Sequence, residues 1–106
     1  NQMLADLSVR RAVLSVAGIN ERGYYNSNLL LVETERAMMN AADEVIVVAD
    51  STKFGHTCLS HLCELGKAHV LVTDGQIGQR WRQTVTEAGV RLVVVASAAN
   101  ASTSQE

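Results

Sequence analysis

The stretch Val45–Gly55, VIVVADSTKFG, decides the fold: a run of β-branched residues breaks at Ala49 into a polar turn holding a lysine and a glycine. Val45 to Ala49 has the composition of a buried strand, and the turn DST opens the way to another element. Three further runs have the same character, AVLSVA (Ala12 to Ala17), HVLVT (His69 to Thr73) and RLVVVA (Arg91 to Ala96). They are continuous rather than alternating, which predicts strands covered on both faces of a parallel sheet. Helical patterns separate them, so the chain reads as repeated βαβ units.

Between the first two runs, NLLLVETERAMMNAADE carries helix formers throughout, with Leu30, Leu31, Thr34, Ala37, Met38 and Ala41 available as one apolar face. Between the third and fourth, DGQIGQRWRQTVTEAG predicts a helix capped by Asp74, striped by Ile77, Trp81, Val85 and Ala88, and stopped at Gly89. The segment after Lys53 is read as a further helix. The fold class expected is therefore α/β: an open, mostly parallel sheet with helices on both faces. Residues 1–96 form the domain, and the small polar residues 97–106 form a tail.

Length and composition narrow the function. The chain has 106 residues, 47% of them hydrophobic, enough for one core and too few for two. Nine basic against eleven acidic residues give a formal charge of −2, without the clustered cations that nucleic acid demands. No apolar run approaches the roughly 20 residues of a membrane span, and the start lacks the pattern of a signal peptide. A cytoplasmic location and no membrane partner are expected. The chain starts at Asn1 and holds no proline, so it is taken as a portion of a longer protein.

His56, Cys58, His61 and Cys63 suggest a metal site, but on a helix turning about 100° per residue they point to different sides. The paired halves of structural zinc sites are absent as well, so no metal is expected. Five residues apart on a helix, the two cysteines are also too distant for a disulfide. Cys63 among Leu59, Leu62 and Leu65 reads as a small buried thiol rather than a nucleophile.

The turn ADSTKFG is a better candidate. Ligands of open α/β sheets bind beyond the carboxyl ends of the strands. Lys53 there, followed by Gly55 and the free amides of a following helix, presents a charge and backbone donors to an anion. The same residues also describe a solvated lysine in a polar turn. It is not a Walker loop, since the glycine-lysine spacing is absent. A second polar loop, AGINERGYYNSN, also leaves a strand end: Gly18 and Gly23 permit tight turns, and Asn20, Glu21, Tyr24, Tyr25, Asn26, Ser27 and Asn28 supply groups suited to sugar hydroxyls. Both loops leave strand ends and could meet at one crevice.

AGINERGYYNSN, ETERAMMNAADEVIVVADSTKFG, VLVTD and EAGVRLVVV, in that order, resemble the C-terminal effector domain of DeoR-type bacterial transcriptional regulators. The most specific part runs from Met38 to Gly55. The resemblance implies the fold of ribose-phosphate isomerases and glucosamine-6-phosphate deaminase, here incomplete, used as a sugar-phosphate sensor without cofactor. It implies that Lys53 meets the effector's phosphate, that Asp50 and Ser51 beside it are ligand-binding residues, and that Gly18, Asn20 and Glu21 belong to the loop reading the sugar. Operator DNA would be bound by a helix-turn-helix absent from this chain. Apolar residues on the outer helices would suit a homo-oligomer. The deaminase loop carries an acid and a histidine; here Asn20 and Glu21 stand without histidine, so catalysis is not expected. The alternative is an isomerase or deaminase with Glu21 as its general base.

Overall fold

The computed structural model describes residues 9–96. Its frame is a parallel sheet of β1 (Arg11–Ser15), β4 (Glu44–Val48), β6 (Val70–Asp74) and β7 (Arg91–Val95), in the spatial order β1-β4-β6-β7. Each lies within two residues of a run read from the sequence. Valine and isoleucine fill these positions because branched side chains pack well on a pleated surface. Register is in step across the sheet, with Val13 beside Ile46, Val47 beside Leu71 and Leu71 beside Leu92.

Helix α1 (Leu29–Ala41) joins β1 to β4 by way of a hairpin, and α2 (Gln79–Glu87) joins β6 to β7. The order rises monotonically along the sheet, so right-handed crossovers place every connection on one side. Val32 of α1 and Val85 of α2 accordingly share one core with Leu14, Val47 and Leu71. The parallel α/β class stands, whereas the coverage expected on both faces of each strand is not seen among the described residues. Along β1, Ala12 and Leu14 are buried while Val13 between them is 60% exposed. Val48 and Val95 are exposed on that same side.

Helix α1 buries a different face from the one its apolar residues predict. Val32 and Glu35 point inward, whereas Leu30 and Met38 are 72% and 44% exposed and Leu31 is also outside. Glu35 can be buried because the Asn26 amide donates to its Oε1 at 2.6 Å, which removes the cost of an unpartnered carboxylate. A search for apolar spacing cannot register an inward glutamate. Asn28 caps the helix by accepting from Leu31 N at 3.2 Å. Of the stripe expected on α2, Ile77, just before the helix, and Val85 are buried, Trp81 is half-buried, and Ala88, at its C-cap, is exposed. Its cap is Gly78 rather than Asp74, and it ends at Gly89 with φ +86°, a left-handed position that favours glycine.

The largest departure from the sequence reading follows Lys53. No helix forms there: a single 3-10 turn, Ser51–Lys53, leads through an irregular stretch into strand β5 (Ser60–Cys63). β5 pairs antiparallel with β3 (Gly23–Asn26), which pairs with β2 (Gly18–Asn20), making a second sheet of three strands. The loop expected over Gly18 to Asn28 is thus largely a hairpin. Hydrogen-bond partners outside the local sequence decided the matter. Tyr24 and Tyr25 are buried in it, and the Tyr24 hydroxyl donates to Leu65 O at 3.0 Å.

Candidate functional site

From Ser51 to His56 the turn after β4 is tied down at every amide. Asp50 accepts from Thr52 N at 2.9 Å and also from the Thr52 hydroxyl, forming an Asx-type turn. Ser51 N donates to Asp74 Oδ2 at the end of β6, at 2.9 Å, while Asp74 Oδ1 accepts from Gln76 N at 2.9 Å. Lys53 N, Phe54 N and His56 N donate to carbonyls three residues back, and Gly55 N donates to Ile19 O at 2.7 Å. The free helix-terminal amides expected beside Lys53 therefore do not exist. Ser51 to His56 spend their N–H groups inside the fold, and what remains for a ligand is side-chain chemistry.

The Lys53 ammonium lies 3.5 Å from Asp50 Oδ2, with its side chain 37% exposed. The Thr52 hydrogen bonds, aided by Lys53, hold the Asp50 carboxyl below its ordinary value; the Ser51 and Gln76 amides do the same for Asp74. Both are firm carboxylates at neutral pH. A cleft of about 260 Å³ opens beside them at the carboxyl ends of β4, β6 and β7, bordered by Val48, Asp50, Val72, Asp74 and Val95. Thr73 lies there too, 3% exposed, and its hydroxyl has no hydrogen-bond partner.

The two polar loops do meet. Ile19 of β2 forms a bridge with Phe54, and the backbone of Gly18 runs so close to His56 that an added Cβ would sit 2.5 Å from His56 O. Gly23 has φ +133° and its α-carbon faces the Cys63 carbonyl, so no side chain fits there either. The Gly18 strand and the turn that carries Lys53 thus form one wall. Asn20 and Glu21 lie further out, at the hairpin tip. Asn20 Oδ1 accepts from Arg22 N at 2.8 Å, and Glu21 Oε2 meets the Arg80 guanidinium at 2.5 Å. Asn26 is turned inward, accepting from Ala17 N at 2.9 Å and donating to Glu35.

Two residues that the sequence did not single out as site groups adjoin this wall. Arg80 lies over the Trp81 ring at 5.0 Å from its centroid, and the Trp81 ring packs against Phe54 at 5.7 Å. Arg80 and Glu21 are 59 positions apart, too far for any local pattern to pair them.

The four histidine and cysteine residues are not on a helix, which removes the angular argument against a metal. His56 and Cys58 lie in the irregular stretch and His61 and Cys63 on β5. His61 Nε2 is 2.8 Å from Arg22 O. Both cysteines are free, and burial pushes the Cys63 thiol up to about 11, leaving little thiolate at neutral pH. Among the described residues no three His, Cys, Asp or Glu side chains gather at one point.

These features define an α/β domain with a single parallel sheet, whose polar loops gather at the carboxyl ends of the strands. More narrowly, the chain belongs to the DeoR C terminal sensor domain family, whose profile matches residues 1–75. It is 30% identical over 93 residues to the HTH-type transcriptional repressor GlcR of Bacillus subtilis, covering 88% of this chain and 36% of that protein. It is 33% identical over 73 residues to the L-fucose operon activator of Haemophilus influenzae, covering 68% and 29%. With the HTH-type transcriptional regulator IolR of Bacillus subtilis it shares 29% over 86 residues, covering 80% and 34%. The chain spans about a third of the length of these curated relatives. The family is a sensor domain, and the relatives are named as regulators rather than enzymes.

Proposed function

We propose that this chain is the ligand-sensing part of a cytoplasmic DeoR-type transcriptional regulator, binding a phosphorylated sugar or related metabolite and passing its occupancy to a helix-turn-helix elsewhere in the protein. The observation that carries this reading is the seam between the two strand-end loops, where Ile19 bridges Phe54 and Gly55 N bonds Ile19 O. It sets Lys53, Asp50 and Ser51 on one side and Gly18, Asn20 and Glu21 on the other. Lys53 supplies the charge that meets phosphate; because the surrounding amides are already bonded, it acts as a point charge rather than as part of an amide nest. The carboxylates of Asp50 and Glu21 accept sugar hydroxyls through lone pairs their present partners leave free. Exposed Leu29, Leu30 and Met38 on α1 suit contact with a second copy.

Calorimetric titration of the full-length protein with a panel of hexose, pentose and polyol phosphates tests this. Saturable binding is expected, weakened at least about tenfold by Lys53→Ala, the order of one charge-assisted hydrogen bond. Equal affinity in the variant removes Lys53 from the site.

A further inference from the structure

We propose that Arg80 is a second anion-binding residue of this site, held in reserve by Glu21 until a ligand phosphate displaces that carboxylate. The inference rests on the sensing role proposed above and adds a residue and an exchange step to it.

The guanidinium is presented rather than buried. Its side chain is 73% exposed, and its contact with Glu21, itself 55% exposed, uses Nη2 alone. A guanidinium has five N–H donors, so most of its capacity is unspent. Its position is nevertheless fixed. The Trp81 ring lies beneath it at 5.0 Å, and that ring is seated on Phe54, the residue after Lys53, at 5.7 Å. Gly55 comes close enough to Trp81 that an added Cβ would touch Cζ2 at 3.6 Å. Arg80 is therefore coupled through two contacting rings, tilted by 41°, to the lysine-bearing turn, although α2 and that turn are far apart in sequence.

The energetics favour exchange. An ion pair exposed on both sides shifts an equilibrium by no more than about fivefold, so the contact between Glu21 and Arg80 holds the side chain at little cost to a competitor. A phosphate dianion carries more charge than a carboxylate and presents oxygens at the spacing of the guanidinium fork. Glu21 thus resembles the ligand's anionic group and gives way to it. From Ser51 to His56 the turn has no spare amides for a second phosphate oxygen. A side chain supplies the further donor, and Arg80 is the guanidinium seated against this turn through Trp81.

The test is a titration of the full-length protein with inorganic phosphate, which has no hydroxyl-bearing carbon skeleton to complicate the role of Glu21. Arg80→Gln should weaken phosphate binding about tenfold, and Glu21→Gln should tighten it by about two- to fivefold, the strength of the pair released. The opposite signs are the signature. If Arg80 served only to fasten the hairpin to α2, removing either partner would have the same effect, and two losses of equal size would overturn the proposal. Arg80→Lys, which keeps the charge but not the fork, should fall between wild type and Arg80→Gln. Weakening by Lys53→Ala with no effect of Arg80→Gln would refute this inference while leaving the sensor reading intact. Absence of phosphate binding in the wild type, with sugar phosphates still bound, would also refute it; absence of both would sink the sensor reading as well.

Discussion

Replacing Gly18 by alanine tests the seam on which the site is built. The added Cβ would lie 2.5 Å from His56 O and 3.0 Å from His56 C, both backbone atoms, so no side-chain rotation relieves the overlap. Ordinary contact requires the β2 strand and the His56 segment to part by roughly 0.5–1 Å, an overpacking cost of about 1–3 kcal/mol. That movement also stretches the 2.7 Å bond from Gly55 N to Ile19 O, whose loss adds about 1 kcal/mol. Gly18→Ala should therefore destabilise the domain by about 2–4 kcal/mol in urea unfolding followed by circular dichroism, and should weaken sugar-phosphate binding under conditions where the variant remains folded. Gly75→Ala is the control: its Cβ would meet only Val94 Cγ1 at 4.0 Å, and a change within about 0.5 kcal/mol is expected. Equal midpoints for Gly18→Ala and the control would refute the claim that the two loops are held in direct contact.

Three other predictions concern hydrogen-bonded and unpartnered polar groups. Asn26→Asp places a second carboxylate against Glu35 where both residues are about 5% exposed; the pair will raise one pKa, so the variant should lose at least about 2 kcal/mol at pH 7.5 and recover part of it as the pH falls towards 5, read by urea unfolding at both pH values. A pH-independent loss would contradict this. Thr73→Val removes the buried hydroxyl that has no partner and should raise stability by about 1 kcal/mol, whereas a loss would show that the hydroxyl is satisfied. Asp50 and Asp74 have depressed pKa values in the fold, so their contribution is present above the unfolded value of about 3.9 and lost as the pH falls through the lower folded value. Amide chemical shifts of Ser51, Thr52 and Gln76 should accordingly titrate with midpoints below about 3.9, and midpoints at or above it would count against those bonds.

The parallel strands were legible because branched apolar runs leave few alternatives once helical segments separate them. Helix α2 was legible from its stripe and from Gly89. Strands β2, β3 and β5 were not, because GIN, GYYN and SHLC are short and mix glycine, asparagine and histidine. Their pairing is fixed by distant partners, not local preference. The helix assigned to His56 through Cys63 failed for the same reason: spacing allowed it, but β3 offered a ladder of backbone bonds instead. The location of Lys53 at a strand end was readable from VIVVADSTKFG. The state of its neighbouring amides was not, since Ser51 N finds Asp74 and Gly55 N finds Ile19 only in three dimensions. Arg80 was hidden likewise, paired with a carboxylate from another supersecondary unit.

The sheet order β1-β4-β6-β7 repeats the order of synthesis. Each new parallel strand docks on the outer side of the one laid down before it, and none must be threaded between two strands already paired. A growing chain can thus extend this sheet from the β7 side in step with its emergence from the ribosome, each strand docking on the edge the previous one left open.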